Sequence, residues 1–226
     1  MVGSAAPAAF RRTVHVSRIV TLPIFPLAGA ILFPRSQLPL HIFEARYREM
    51  VRDAIDGAAR IGMIQPLRLD DDDRPPLYAV GCVGDIVGME ELEDGRFNIV
   101  LHGSNRFRLI DELAFEGAYR CATVDIEAFD DSEPPPLAMV ERAEVEREAR
   151  RLGDAMGLAV DWEAVARLDD EMLVNAIAQV APFDPGAKQA LLEQTTLRGR
   201  ADLLVQLMQF QRASIGGGIE IEPTIQ

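Results

Sequence analysis

The sequence predicts an α+β protein, with a small N-terminal β-barrel and one packing helix followed by a C-terminal α-helical bundle. Three observations predict it. Residues 19–126 are mostly short extended stretches punctuated by turns, within which only residues 44–56 shift to a helical period. The run 130–136, DDSEPPP, is acidic and stiffened by prolines. Beyond it the apolar residues recur at helical spacing almost to the end.

The barrel half opens with extended pieces at 19–22 and 24–27 around Pro23, and at 30–33 and 38–43. Pro23, Pro26, Pro34 and Pro39 each remove a ladder donor, so these strands are expected at edges, bulges and bends. In 44–56 the residues Tyr47, Met50, Val51, Ala54 and Ile55 form one helix face, with Gly57 as the stop. Glu44–Arg48 and Arg52–Asp56 are spaced for ion pairs on the wet face. Burying the stripe contributes about 6–10 kcal/mol gross. Ordering the backbone costs about 1–2 kcal/mol per residue, so this helix must pack on the sheet.

Residues 60–65 make a further strand, and 69–76 a loop whose four aspartates are a solvated tip; they lack the alternating ligands and glycine of a calcium loop. A long extended stretch, 77–92, contains Gly81, Gly84 and Gly88, which mark bulges. Asp94-Gly95 sets a hairpin turn. Residues 97–102 alternate, 103–105 turn again into 106–110, and 119–126 form the last strand.

In the helical half, Val145, Ala149, Leu152 and Met156 line a helix ending near Gly157. Asp161 caps a short helix, Asp169 or Asp170 the next, Asp184 ahead of Pro185 another, and Thr196 the last. In that last helix Leu203, Leu204, Leu207, Met208 and Phe210 cover more than one face, so it is expected to be central. The organisation is thus a tail (1–18), the barrel (19–129), a linker (130–136), the bundle (137–213) and a second tail (214–226).

Length and composition fit this. The chain has 226 residues, 48% hydrophobic and 26% charged, with a formal net charge of −13. That charge repels phosphate backbones and anionic lipid heads, so neither nucleic acid nor membrane is an expected partner. No run approaches a membrane span, and the N-terminus lacks a secretory apolar core. Cys82 and Cys121 stand alone in apolar surroundings, as buried reduced thiols, and the cytoplasm is the expected compartment.

Catalytic patterns are absent. The single lysine, Lys188, opens a helix without a glycine-rich phosphate loop, and the helix pattern places it on an exposed face. Ser104 follows His102 and Gly103 as a turn serine, with no base assigned to it. His15, His41 and His102 lie far apart and share no carboxylate at ligand spacing. No cofactor or metal is expected, and the protein is expected not to be an enzyme.

Read in order, Phe25-Pro26-Leu27, the apolar residues 31–34, Leu38-Pro39-Leu40, Phe43-Glu44 and Arg46-Tyr47 resemble the start of the N-terminal substrate-binding domain of Lon-type ATP-dependent proteases. Residues 81–86, Asp94-Gly95-Arg96, 100–103 with Arg106-Phe107, Tyr119 and 188–193 continue the likeness, which spans roughly residues 19–210. The resemblance implies that the barrel is PUA-like. It also implies that the protein recognises unfolded or extended polypeptide, with a protease or chaperone as possible partner. The ATPase and Ser–Lys protease modules of that family have no counterpart in the chain, so a stand-alone, non-catalytic module is expected. The alternatives are a small-ligand or regulatory module at the barrel mouth, and a peptidase-associated enzyme. Phe25, Phe33, Leu38 and Phe43 are the expected polypeptide-binding surface. Pro26, Pro39, Glu44, Arg46, Tyr47 and Arg106 are expected to be structural, Glu44 starting the helix and Arg106 tying a turn to the barrel.

Overall fold

The computed structural model describes residues 17–68 and 74–216. Most of the expected N-terminal tail with His15, the aspartates 70–73 and the C-terminal residues from 217 lie outside them. The first half holds β1 (Ile19–Pro26), β2 (Gln37–Ile42), α1 (Ala45–Asp56), β3 (Arg60–Ile64), β4 (Val80–Glu91), β5 (Phe97–Leu113) and β6 (Arg120–Asp125). The second holds α2 (Met139–Ala155), α3 (Trp162–Ala166), α4 (Asp170–Val180), α5 (Pro185–Glu193) and α6 (Leu197–Gly216).

The strands form one six-stranded sheet in the order β2-β5-β4-β3-β1-β6, and β6 pairs in addition with β5. β5 can serve three partners because it is 17 residues long: its first part pairs with β2 and β4, its last part with β6. β1 and β3 run parallel, and the other pairs are antiparallel. Bulges fall beside Gly84 and Gly88, two of the glycines expected to mark them.

The prolines are accommodated without breaking β1, which is one strand rather than two pieces. Pro23 lies opposite Cys121 of β6, and pairing with β3 begins only at the next residue, Ile24. In β2 the Gln37 carbonyl is reached by the Gln179 side chain and so points away from β5. By strand alternation the backbone groups of Pro39 and His41 point the same way. Pro39 therefore spends its missing donor on the open edge of the sheet, where it blunts the edge instead of interrupting a ladder.

Two expected elements differ. Residues 30–33 are not a strand. Leu32 enters the sheet core while Ile31 and Phe33 enter the helical core, and the Ile31 carbonyl is satisfied by Gln179. A ladder partner is replaced by contacts on both sides. Residues 103–105 do not turn but continue β5. Gly103 is there for close approach: its N–H and C=O bond Ser36 and Arg35, and a Cβ would lie 2.0 Å from the Phe33 oxygen. Ser104 is accordingly a strand residue.

α1 follows its apolar stripe, burying Tyr47, Met50, Val51 and Ala54 against Ile42, Phe97 and Leu101. Its ion pairs are not the expected ones: Glu44 takes Arg46, and Arg52 reaches across to Glu91 of β4. Glu44 is the N-cap, without a capping side-chain bond. The second half is capped as expected by Asp161, Asp184 and Thr196, each accepting a backbone N–H of the first turn. Asp169 caps α4, while Asp170 instead takes the Leu137 N–H and Arg142. α6 is central, burying Ala201, Leu204 and Met208 against α2 and α4. Phe210 contradicts the pattern and is 72% exposed, because the core-facing arc stops at Met208.

The halves are joined by a polar seam. Arg35 pairs with Glu171 through two 2.7 Å bonds. Gln189 donates to the Val80 carbonyl and Gln65 to that of Pro185. Lys188, expected on an exposed face, is 7% exposed and donates to the carbonyls of Gly29 and Gln179. Burial holds its ammonium below the usual lysine range. Lys188 stands three and four residues before Leu191 and Leu192, so it shares their buried face of α5, and its ammonium is held at the seam with the sheet half.

Candidate functional site

The four residues expected to form a binding surface do not form one. Phe25 is buried, its ring 4.3 Å from that of Tyr47, and Phe33 is fully buried beneath the Arg200 guanidinium. Neither can reach a partner, because each fills a core between sheet and helices. Leu38 is half-buried against the α1 side of the sheet. Phe43 alone is open, at 62% exposure, stacked beside His41.

The residues singled out as structural motifs assemble better. Pro26, at the end of β1, and Arg46-Tyr47, in the first turn of α1, meet on one cleft of about 420 Å³. Its opposite side is the β5–β6 connection, with Phe115, Gly117 and Tyr119, and its floor includes Arg120. Pro66, Arg74 and Pro75 also line it. Pro39 and Arg106 lie elsewhere, on the open sheet edge and in the seam.

Two carboxylates of α1 hold this connection in place. Tyr119 donates its hydroxyl to Asp53 at 2.8 Å, and the Ala118 N–H reaches Glu49. Burial, then the hydrogen bond and charge of Asp53, pushes the Tyr119 phenol above its usual range. Phe115 packs on Tyr119 at 4.8 Å, and its ring crosses Gly117 so closely that a Cβ there would sit 2.1 Å from it. On the other wall Arg46 stacks its guanidinium on the Tyr47 ring at 4.7 Å. Arg120 donates to Glu112 and to the Pro75 carbonyl, tying the floor to the rim. Aromatic faces, prolines and guanidiniums thus share one depression. Such walls can hold groups by stacking and charge.

Residue types alone could not have found Phe115, Arg120 or the proline rim, because sequence positions 26, 46, 66, 75 and 115 meet only through the strand order. The signal available was Phe115 itself, a large aromatic in a short connection otherwise made mostly of small residues. A second depression, about 180 Å³ and almost wholly apolar, lies among α2, α3 and α4, lined by Leu152, Met156, Trp162, Ile177 and Val180. Arg150 covers the Trp162 ring at 4.6 Å. No helix of the described residues is long and apolar enough to cross a membrane.

The chain thus combines a mixed six-stranded sheet, a helical second half and an aromatic–arginine cleft beside α1. The substrate-binding domain of the ATP-dependent protease La (LON) matches residues 21–209, and the chain belongs to this family. Among curated relatives, Lon protease 2 of Myxococcus xanthus is 28% identical over 84% of the chain and 24% of its own length. The Lon protease of Anaeromyxobacter dehalogenans is 27% identical, over 84% and 23%. The chain therefore matches about a quarter of the length of these relatives. A Lon N-terminal domain protein from Xanthomonas campestris has the same fold, with TM-score 0.62, 21% identity, and coverage of 83% of this chain and 98% of that one. The N-terminal domain of the Lon protease of the Mycobacterium avium complex aligns with TM-score 0.60 at 17% identity, covering 84% and 98%.

Proposed function

We propose that this chain is a non-catalytic module that recognises unfolded or extended polypeptide and presents it to a protease or chaperone. The observation that carries the reading is the convergence of Pro26, Arg46 and Tyr47 on one cleft with aromatic and proline walls. Membership of a substrate-binding family supports it. A volume of about 420 Å³ falls in the ~300–1,000 Å³ range of ligand sites. The apolar depression among α2, α3 and α4 is smaller than that range, so it suits one apolar side chain of a bound polypeptide better than a metabolite.

In this reading the pairings β5-β4-β3-β1-β6-β5 close a small PUA-like barrel, and α2–α6 are the bundle packed on it. The single lysine is committed to two backbone carbonyls, which supports a recognition role over a Ser–Lys dyad. Two buried free thiols suit a cytoplasmic setting. The test is binding of reduced, carbamidomethylated α-lactalbumin without nucleotide, followed by fluorescence anisotropy. Saturable binding, weakened by Phe115→Ala, is expected. No binding at high micromolar protein sinks the reading.

A further inference from the structure

We propose that the α1 cleft selects polypeptide segments in which a carboxylate stands next to an aromatic side chain. This rests on the cleft being the polypeptide site, and it names what the cleft reads.

Among the described residues, the charged ones lining the cleft are Arg46, Arg74 and Arg120, and none is acidic. That is unusual in a chain of net charge −13, whose surface as a whole repels acidic partners. The carboxylates that meet Arg46 and Arg120 are Glu44 and Glu112, which are not among the described lining residues. Glu44 receives Nε and one terminal nitrogen of Arg46, at 2.9 and 2.8 Å. Glu112 receives Nε of Arg120 at 2.8 Å. Among the described residues the second terminal nitrogen of Arg46 has no carboxylate or carbonyl partner. Stacking on Tyr47 fixes the plane of that guanidinium, so its unused edge is oriented in advance for a carboxylate.

The neighbouring subsite is apolar. The Phe115 ring is 40% exposed and is carried on Tyr119, whose hydroxyl is held by Asp53. It offers an aromatic face with a fixed support, suited to an incoming ring. A charge contact and a ring contact side by side read two adjacent groups of an extended chain. The carboxylate can come from a glutamate or aspartate side chain or from the free end of a polypeptide, since both present the same planar group.

The experiment uses three fluorescein-labelled peptides and the whole chain. One is Gly-Ser-Phe-Glu-Phe-Ser-Gly with an amidated end, the second replaces its Glu with Gln, and the third ends in Gln-Phe with a free carboxylate. The Glu peptide, the free-end peptide or both should bind about tenfold more tightly than the amidated Gln peptide, with the preference fading as salt rises. Whichever one binds identifies the source of the carboxylate. Arg46→Gln should abolish the preference while keeping the weak binding of the Gln peptide, and Phe115→Ala should weaken all three. Near-ultraviolet circular dichroism checks that both variants are folded. A wild-type protein that binds the three peptides equally, or a preference that survives Arg46→Gln, overturns the proposal. Unfolded α-lactalbumin separates the two levels of failure. If it binds while the peptides are not distinguished, polypeptide recognition stands and carboxylate selection falls; if it does not bind, both fall.

Discussion

Arg106 and Asp131 bury one another: Nε meets the carboxylate at 2.8 Å, with each side chain 3% exposed. Asp131 also accepts the Arg106 backbone N–H, and the guanidinium continues to the carbonyls of Leu192 and Gln194. One strand residue thus binds the acidic run between the halves and the end of α5. Asp131→Ala leaves a buried guanidinium without its counter-charge, and a loss of about 3–5 kcal/mol is expected in denaturant unfolding. Arg106→Met combined with Asp131→Leu should lose less than the sum of the single changes.

Gly103→Ala places a methyl against the Phe33 carbonyl, which is backbone and cannot swing aside. The expected loss is about 1–3 kcal/mol. Gly88→Ala is the control, since its new Cβ meets only Val100 at 3.6 Å, an ordinary contact. Thermal unfolding of the two variants should separate them clearly.

Lys188→Ala removes the donor to two seam carbonyls, Gly29 and Gln179. Stranding buried acceptors costs about 1–3 kcal/mol. Because the role is structural, binding of α-lactalbumin by the folded variant should match that of the wild type at temperatures well below its midpoint.

The Tyr119 phenol has a folded-state pKa above the usual 10.0. Below pH 10.0 both folded and unfolded chains keep the proton, so the stabilisation is complete. As pH rises past that value the unfolded chain ionises first, and stability falls until the folded phenol ionises too. Tyr47 is shifted the same way, chiefly by burial. Ultraviolet titration of tyrosinate should show late ionisation that becomes ordinary in denaturant, and Tyr119→Phe should reduce the alkaline loss of stability.

Cys82 and Cys121 are buried, and burial raises both thiols above their usual range. A thiol reagent at neutral pH should label neither in the native protein and both after unfolding.

Local signals were legible where the structure that decides them is local. Asp161, Asp184 and Thr196 cap helices because a side chain two or three residues away needs no tertiary partner, and the stripe of α1 is buried face by face. The failures share the opposite cause. Lys188 and Phe33 are governed by what lies across the seam, and residues 103–105 resemble a turn because Gly103 serves a contact 70 positions earlier in the chain. The cleft was half legible: Pro26, Arg46 and Tyr47 were marked by resemblance, but Phe115 and Arg120 join them only through the pairing of β5 with β6.

The seam donors Lys188, Gln189, Gln65 and Arg106 have in common that each bonds a backbone carbonyl. A carbonyl is supplied by whatever residue occupies the position, so the residues at 29, 80, 185 and 192 can drift without losing their half of the bond. Only the donor end is constrained. Divergence in this architecture can therefore run far on the accepting side while the two halves keep their mutual orientation, which gives one physical route to a shared fold at 21% identity.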